Sequence, residues 1–133
     1  MSAEDDDATP SQGSDDPDLD PIDPAAIGRL LRIGEAPLLR RIVDLYVSEA
    51  PLRLSAIAAA VAAQDRGATE AAAHSLKSMA ANVGATRVFA LCERIEGLAR
   101  SALSPGVVEA AAALPEAHRR ACAALAELRP SAG

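Results

Sequence analysis

Apolar residues recur at spacings of three and four along most of this chain, and polar or glycine-containing breaks separate the runs. No stretch shows strand-like alternation. Asp23 followed by Pro24 reads as an N-cap and first helical residue, and Ile27, Leu30 and Leu31 form a short apolar stripe ending near Gly34. A longer helix is predicted from Pro37, with Leu39, Ile42, Val43, Tyr46, Val47 and Ala50 on one side, continued by Leu54, Ile57, Ala58 and Val61. Pro51 lies inside that pattern and predicts a kink or two abutting helices. Asp65 is placed to cap a third helix, which should close around Asn82 to Gly84, where the left-handed conformation is tolerated. Val88, Leu91, Cys92, Ile95 and Leu98 give the cleanest stripe. Ser104-Pro105 opens the last helix, with Val107, Val108, Ala111, Leu114, Ala121, Cys122, Leu125 and Leu128 on its buried face and a bend expected at Pro115. The pattern predicts an all-α fold: an antiparallel up-down four-helix bundle with a short additional N-terminal helix capping one end.

Composition narrows this picture. Alanine fills about a quarter of the positions, and one Tyr and one Phe are present, which favours close helix packing through small side chains. The 133 residues suffice for one helical domain but leave no room for a nucleotide-binding domain beside it. The net charge of -6 conceals two parts of opposite sign: residues 1–23 hold nine of the nineteen acids and no base, leaving ten acids against thirteen bases in the rest. Residues 1–21 are therefore expected to be a disordered acidic tail, and residues 22–130 the helical domain. The longest apolar run, around Leu54 to Ala63, is about half of what a bilayer requires, and no basic-then-apolar leader opens the chain. A cytoplasmic monomer is expected, with neither membrane nor nucleic acid as partner. Cys92 and Cys122 fall on apolar faces, which favours reduced core thiols over a disulfide or metal pair.

His74 departs from its helix's apolar logic. At about 100° per residue, Leu76 projects roughly 200° away from it, in register with Ala72, Met79, Ala80 and Val83. The histidine points outward, with Glu70, Ala71, Lys77, Ser78 and Ala81 as neighbours. A solvated imidazole offers a free lone pair near neutral pH, and Lys77 one turn away offers a cation for an anionic partner.

The stretch Ala73-His74-Ser75-Leu76-Lys77-Ser78-Met79-Ala80-Ala81-Asn82-Val83-Gly84-Ala85 resembles the signature of histidine-containing phosphotransfer domains, usually His-x-Leu-Lys-Gly, then small residues and Gly-Ala. His74, Leu76, Lys77, Asn82, Gly84, Ala85, Cys92 and Glu96 match at matching spacing, and the likeness extends from about Ile22 to Leu128. The resemblance implies a bacterial-type phosphorelay component whose His74 takes a phosphoryl group from an aspartyl phosphate on a receiver domain and passes it to another receiver. Receivers of response regulators and hybrid histidine kinases would be the partners. No cofactor is expected on this chain; Mg²⁺ would sit on the receiver, and no ATP-dependent kinase activity is implied. The physical reading agrees, since phosphoryl transfer needs mainly positioning and charge neutralisation.

Within that resemblance His74 is the phosphoacceptor and Lys77 stabilises the phosphoryl group electrostatically. Ala71, Ser75, Ser78, Ala81 and Arg87 are the expected receiver contacts, with Arg66 a further candidate at the rim. Glu96 is read either as lying near His74 across the helix pair, or as a solvated charge or a partner for Arg100 at i,i+4. Ser78 stands where the family usually has glycine; it either bonds the His74 carbonyl, orients the ring or is simply tolerated. That departure leaves a second function class open, a helical binding module that docks a receiver or kinase without carrying phosphate. His118 reads as a core or boundary histidine with a hydrogen bond, and a zinc site joining both histidines and both cysteines is discounted because no short paired-ligand spacing is present and His74 points away from the others.

Overall fold

The computed structural model describes residues 21–132, with side chains to residue 128. The expected acidic tail lies outside the described residues except for Pro21. Within them the chain is entirely helical: α1 spans Pro24–Ala62, α2 Arg66–Val83, α3 Thr86–Ala99 and α4 Pro105–Ala132. Each helix packs on two others, in the pairs α1–α2, α2–α3, α3–α4 and α4–α1, so the four enclose one core. Tyr46 and Ile57 of α1, Leu76 of α2, Ile95 of α3, and Leu114 and Leu125 of α4 are its largest fully buried side chains.

Local chemistry sets the helix boundaries. Asp23 caps α1 by accepting the Ala25 N–H at 3.0 Å, with Pro24 as first residue. Asp65 caps α2 through the Ala68 N–H at 3.0 Å. The turn after α2 is closed by Gly84 at φ 71°, and a Cβ there would stand 2.7 Å from the Ala26 Cβ and 3.0 Å from the Asp23 carbonyl oxygen. The chain entering α1 is fastened to this turn by two backbone hydrogen bonds, Asp23 N–H to Gly84 O (2.7 Å) and Thr86 N–H to Pro21 O (3.2 Å).

Pro51 does not interrupt α1. The one residue with non-helical angles is Glu35, at φ 59° and ψ -160°. Two prolines lie in α1, and their contexts differ. Pro37 follows Gly34, where a Cβ would come within 2.5 Å of the Leu38 Cβ, so the glycine permits a sharp change of direction before the proline. Pro51 and Val47, whose carbonyl loses its donor, are both exposed, so water can satisfy that carbonyl and the helix continues. Helix α4 likewise runs through the exposed Pro115. Of the expected apolar stripe in α1, Val47 and Ala58 face solvent, while Leu39, Val43, Tyr46, Ala50 and Ile57 are buried. By length and composition α1 is apolar enough to cross a membrane, but its apolar inner side is part of the shared core.

Candidate functional site

His74 lies mid-way along α2 with Leu76 fully buried behind it and its own side chain 62% exposed. Ala71, Ser78 and Ala81 are exposed around it, and Ser75 is half-buried. The Ser78 hydroxyl makes no hydrogen bond to any other described residue, the His74 carbonyl included.

The turn at Gly84 folds α3 back beside α2 and brings Glu96 to the histidine. Glu96 Oε2 lies 2.9 Å from His74 Nδ1, and Oε1 lies 2.8 Å from Lys77 Nζ. Arg100 pairs instead with Glu70, at 3.2 Å. Thus one residue, Glu96, only 8% exposed, holds both His74 and Lys77. Burial acts to raise the Glu96 pKa; the Lys77 ammonium and then the His74 ring act the other way and prevail, so the carboxyl titrates below its usual range.

This charge state has a chemical consequence. An ionised carboxylate can only accept a hydrogen bond, so His74 Nδ1 must carry the proton in this contact. The lone pair is then on Nε2, the nitrogen remote from the backbone. Lys77 is not the open surface cation of the sequence expectation: its side chain is 22% exposed, with Nζ held by Glu96 and 6.0 Å from the Phe89 ring centroid. Its position next to the carboxylate balances a charge that would be costly to bury alone.

Arg87 is not brought to this cluster. It lies nine residues before Glu96 on α3, half a turn around the helix, and lines a hollow with Leu91, Arg94 and Glu109 on the α3–α4 side. Arg66 reaches the Ser101 carbonyl at 2.8 Å, at the end of the bundle where α2 begins. His118 sits elsewhere, in α4, sharing a hydrogen bond with the buried Tyr46 hydroxyl at 3.1 Å and placing Nε2 3.4 Å from Cys122 Sγ. Burial lowers the His118 pKa and raises those of Tyr46 and Cys122. Cys92 is fully buried, and burial pushes its thiol up to about 12.

The sequence left Glu96 open among a place near His74, a solvated charge and a pair with Arg100. The signal that separates them is its spacing about Gly84: His74 lies ten residues before that turn and Glu96 twelve after it, which sets them at similar heights on neighbouring helices. Residues 41–128 match the family model described as Hpt domain. No curated protein and no solved structure matches the chain.

Proposed function

The chain belongs to the Hpt domain family, which acts in phosphorelays, and on that premise we propose that it is a cytoplasmic relay intermediate, accepting a phosphoryl group on His74 from a receiver aspartyl phosphate and passing it to a second receiver. The observation that carries the reading is the His74–Glu96 contact on an exposed helix face, because it leaves Nε2 as the available nucleophile. In the forward step the Nε2 lone pair attacks phosphorus. The P–O bond to the receiver aspartate breaks, and the carboxylate leaves with its electron pair. No proton moves. The ring becomes an N-phosphoimidazolium whose positive charge lies against Glu96, and a second receiver's carboxylate reverses the chemistry by expelling the neutral imidazole.

Lys77 has two tasks in this reading. It keeps Glu96 ionised in the resting protein, and its ammonium is close enough to meet phosphoryl oxygens when they arrive. The receiver supplies Mg²⁺ as well as phosphate. Ala71, Ser75, Ser78 and Ala81 form the small-residue surface on which it docks, and Arg87 contributes only at the far side of α3. An antiparallel up-down bundle is supported by the order of α2–α3 contacts, Glu70 with Arg100 and His74 with Glu96, and by the short connections. The leading turns before Glu35 act as the separate N-terminal helix, and the protein works as a monomer.

Mixing the full chain with a phosphorylated receiver tests the assignment. The wild type should acquire an acid-labile, base-stable phosphate and the His74→Gln variant none, with unchanged helicity. Label persisting in that variant would remove His74 from the mechanism, and loss of receiver phosphate to water without label on the chain would favour a binding module instead.

A further inference from the structure

A groove of about 190 Å³ opens beside the strap that fastens the entry of α1 to the α2–α3 turn. Ala26, Ala81 and Phe89 give it an apolar lining, and Arg29 stands at its rim. Arg29 is exposed and has no ion-pair partner among the described residues. The other charged lining residue, Asp23, already spends its carboxylate on the cap of α1. The groove lies on the same side of α2 as the phosphoacceptor: Ala81 is two turns from His74, roughly 10 Å along the helix axis. A docked receiver covering a typical 800 Å² or so would overlap it.

The chain itself supplies a complement. Pro21 is fixed at the groove by the hydrogen bond from Thr86, which also lines it. Immediately before Pro21 is Asp18-Leu19-Asp20, a single apolar side chain between two carboxylates, outside the described residues. Two residues of chain span at most about 7 Å, which puts the groove within reach of a segment that begins immediately before Pro21. Apolar lining meets leucine, and the Arg29 guanidinium meets carboxylate. Tethering this short gives a high effective concentration without any further contact.

We propose that Asp18-Leu19-Asp20 docks in this groove and competes with receivers for the approach to His74, so that the acidic N-terminal segment sets the threshold for phosphotransfer. The docking rests on the groove and the tether; its consequence for transfer rests on the proposed function. If the segment occupies the groove in two-thirds to nine-tenths of molecules, the apparent receiver affinity is weakened about three- to tenfold.

The test uses the full chain with Asp18→Asn, Leu19→Ser and Asp20→Asn together, and separately with Arg29→Glu. In NMR spectra both variants should shift the amide resonances of Ala81, Thr86 and Phe89, and high salt should move the wild-type resonances the same way. The receiver concentration for half-maximal transfer should fall about three- to tenfold in the tail variant, with the saturating rate unchanged. Superimposable groove resonances in wild type and tail variant would overturn the docking, as would shifts that depend on protein concentration, which would indicate a second copy as occupant. Shifted resonances with an unchanged half-maximal concentration would overturn the competition. Should His74 not accept phosphate in any variant, the proposed function fails while the NMR comparison still decides the docking.

Discussion

Replacing Glu96 by glutamine keeps the side chain's shape and removes the charge that dictates the His74 tautomer. A hydrogen bond to an ionised acceptor contributes about 1.5–3 kcal/mol and a neutral one about 1 kcal/mol, so the change gives up about 0.5–2 kcal/mol of preference for the Nδ1–H form. That corresponds to roughly 2- to 30-fold in the tautomer ratio. The His74 side chain is 62% exposed, which places the expected effect in the lower part of that range. The same substitution removes the countercharge to the imidazolium that forms on phosphorylation, and Lys77 loses its ionic partner. Long-range ¹H–¹⁵N spectra read the tautomer directly, and rapid mixing with a phosphorylated receiver reads the rate. The wild type should carry its proton on Nδ1, and Glu96→Gln should give a mixed population with transfer slowed about three- to eightfold and helicity unchanged. A wild-type proton on Nε2, or a variant rate within about twofold of wild type, would show that Glu96 does not set the nucleophilic nitrogen.

Three further outcomes follow from the structure. Gly84→Ala places a side chain at φ 71° against Ala26 and the Asp23 carbonyl, and should cost about 2–4 kcal/mol from backbone strain and overpacking, measured by urea denaturation. Burial depresses the His118 pKa, so the fold favours the uncharged ring; that stabilisation is complete above the unfolded value of about 6.5 and is lost as pH falls through the lower folded value. His118→Asn should flatten stability over that range, and leave the decline at lower pH, where Glu96 protonates, in place; an identical pH profile in variant and wild type would rule this out. In the native protein near pH 7 a maleimide should label the half-buried Cys122 well before the fully buried Cys92, as followed by mass, and equal rates would contradict the burial.

The helix ends were legible because they rest on local chemistry: Asp23 with Pro24, Asp65, and Gly84 each act within a few residues of themselves. The outward direction of His74 followed from period alone, since Leu76 occupies the opposite face. Pro51 misled because a proline's effect depends on whether its freed carbonyl meets water or protein, which the local sequence does not state. Glu96 was ambiguous because i,i+4 pairing with Arg100 and cross-helix pairing with His74 are both compatible with its position on α3; rotation of α3 against α2 decides between them, and Arg100 turns to Glu70. The same rotation carries Arg87 away from the site. Lys77 looked like a solvated cation for the corresponding reason: its neighbours on α2 are small, and the residues that cover it, Phe89 and Glu96, come from α3.

In the proposed relay, Nε2 of His74 carries the phosphoryl group between receivers. Phosphorylating the full chain from an ¹⁵N-histidine-labelled sample and a phosphorylated receiver, then recording ³¹P and ¹⁵N spectra, tests it most directly. One phosphoramidate signal coupled to Nε2 of His74 is expected, with Nδ1 still protonated; it should disappear when an unphosphorylated second receiver is added and reappear as that receiver's aspartyl phosphate. Phosphate on Nδ1, on His118, or on no histidine while the receiver is dephosphorylated would contradict it.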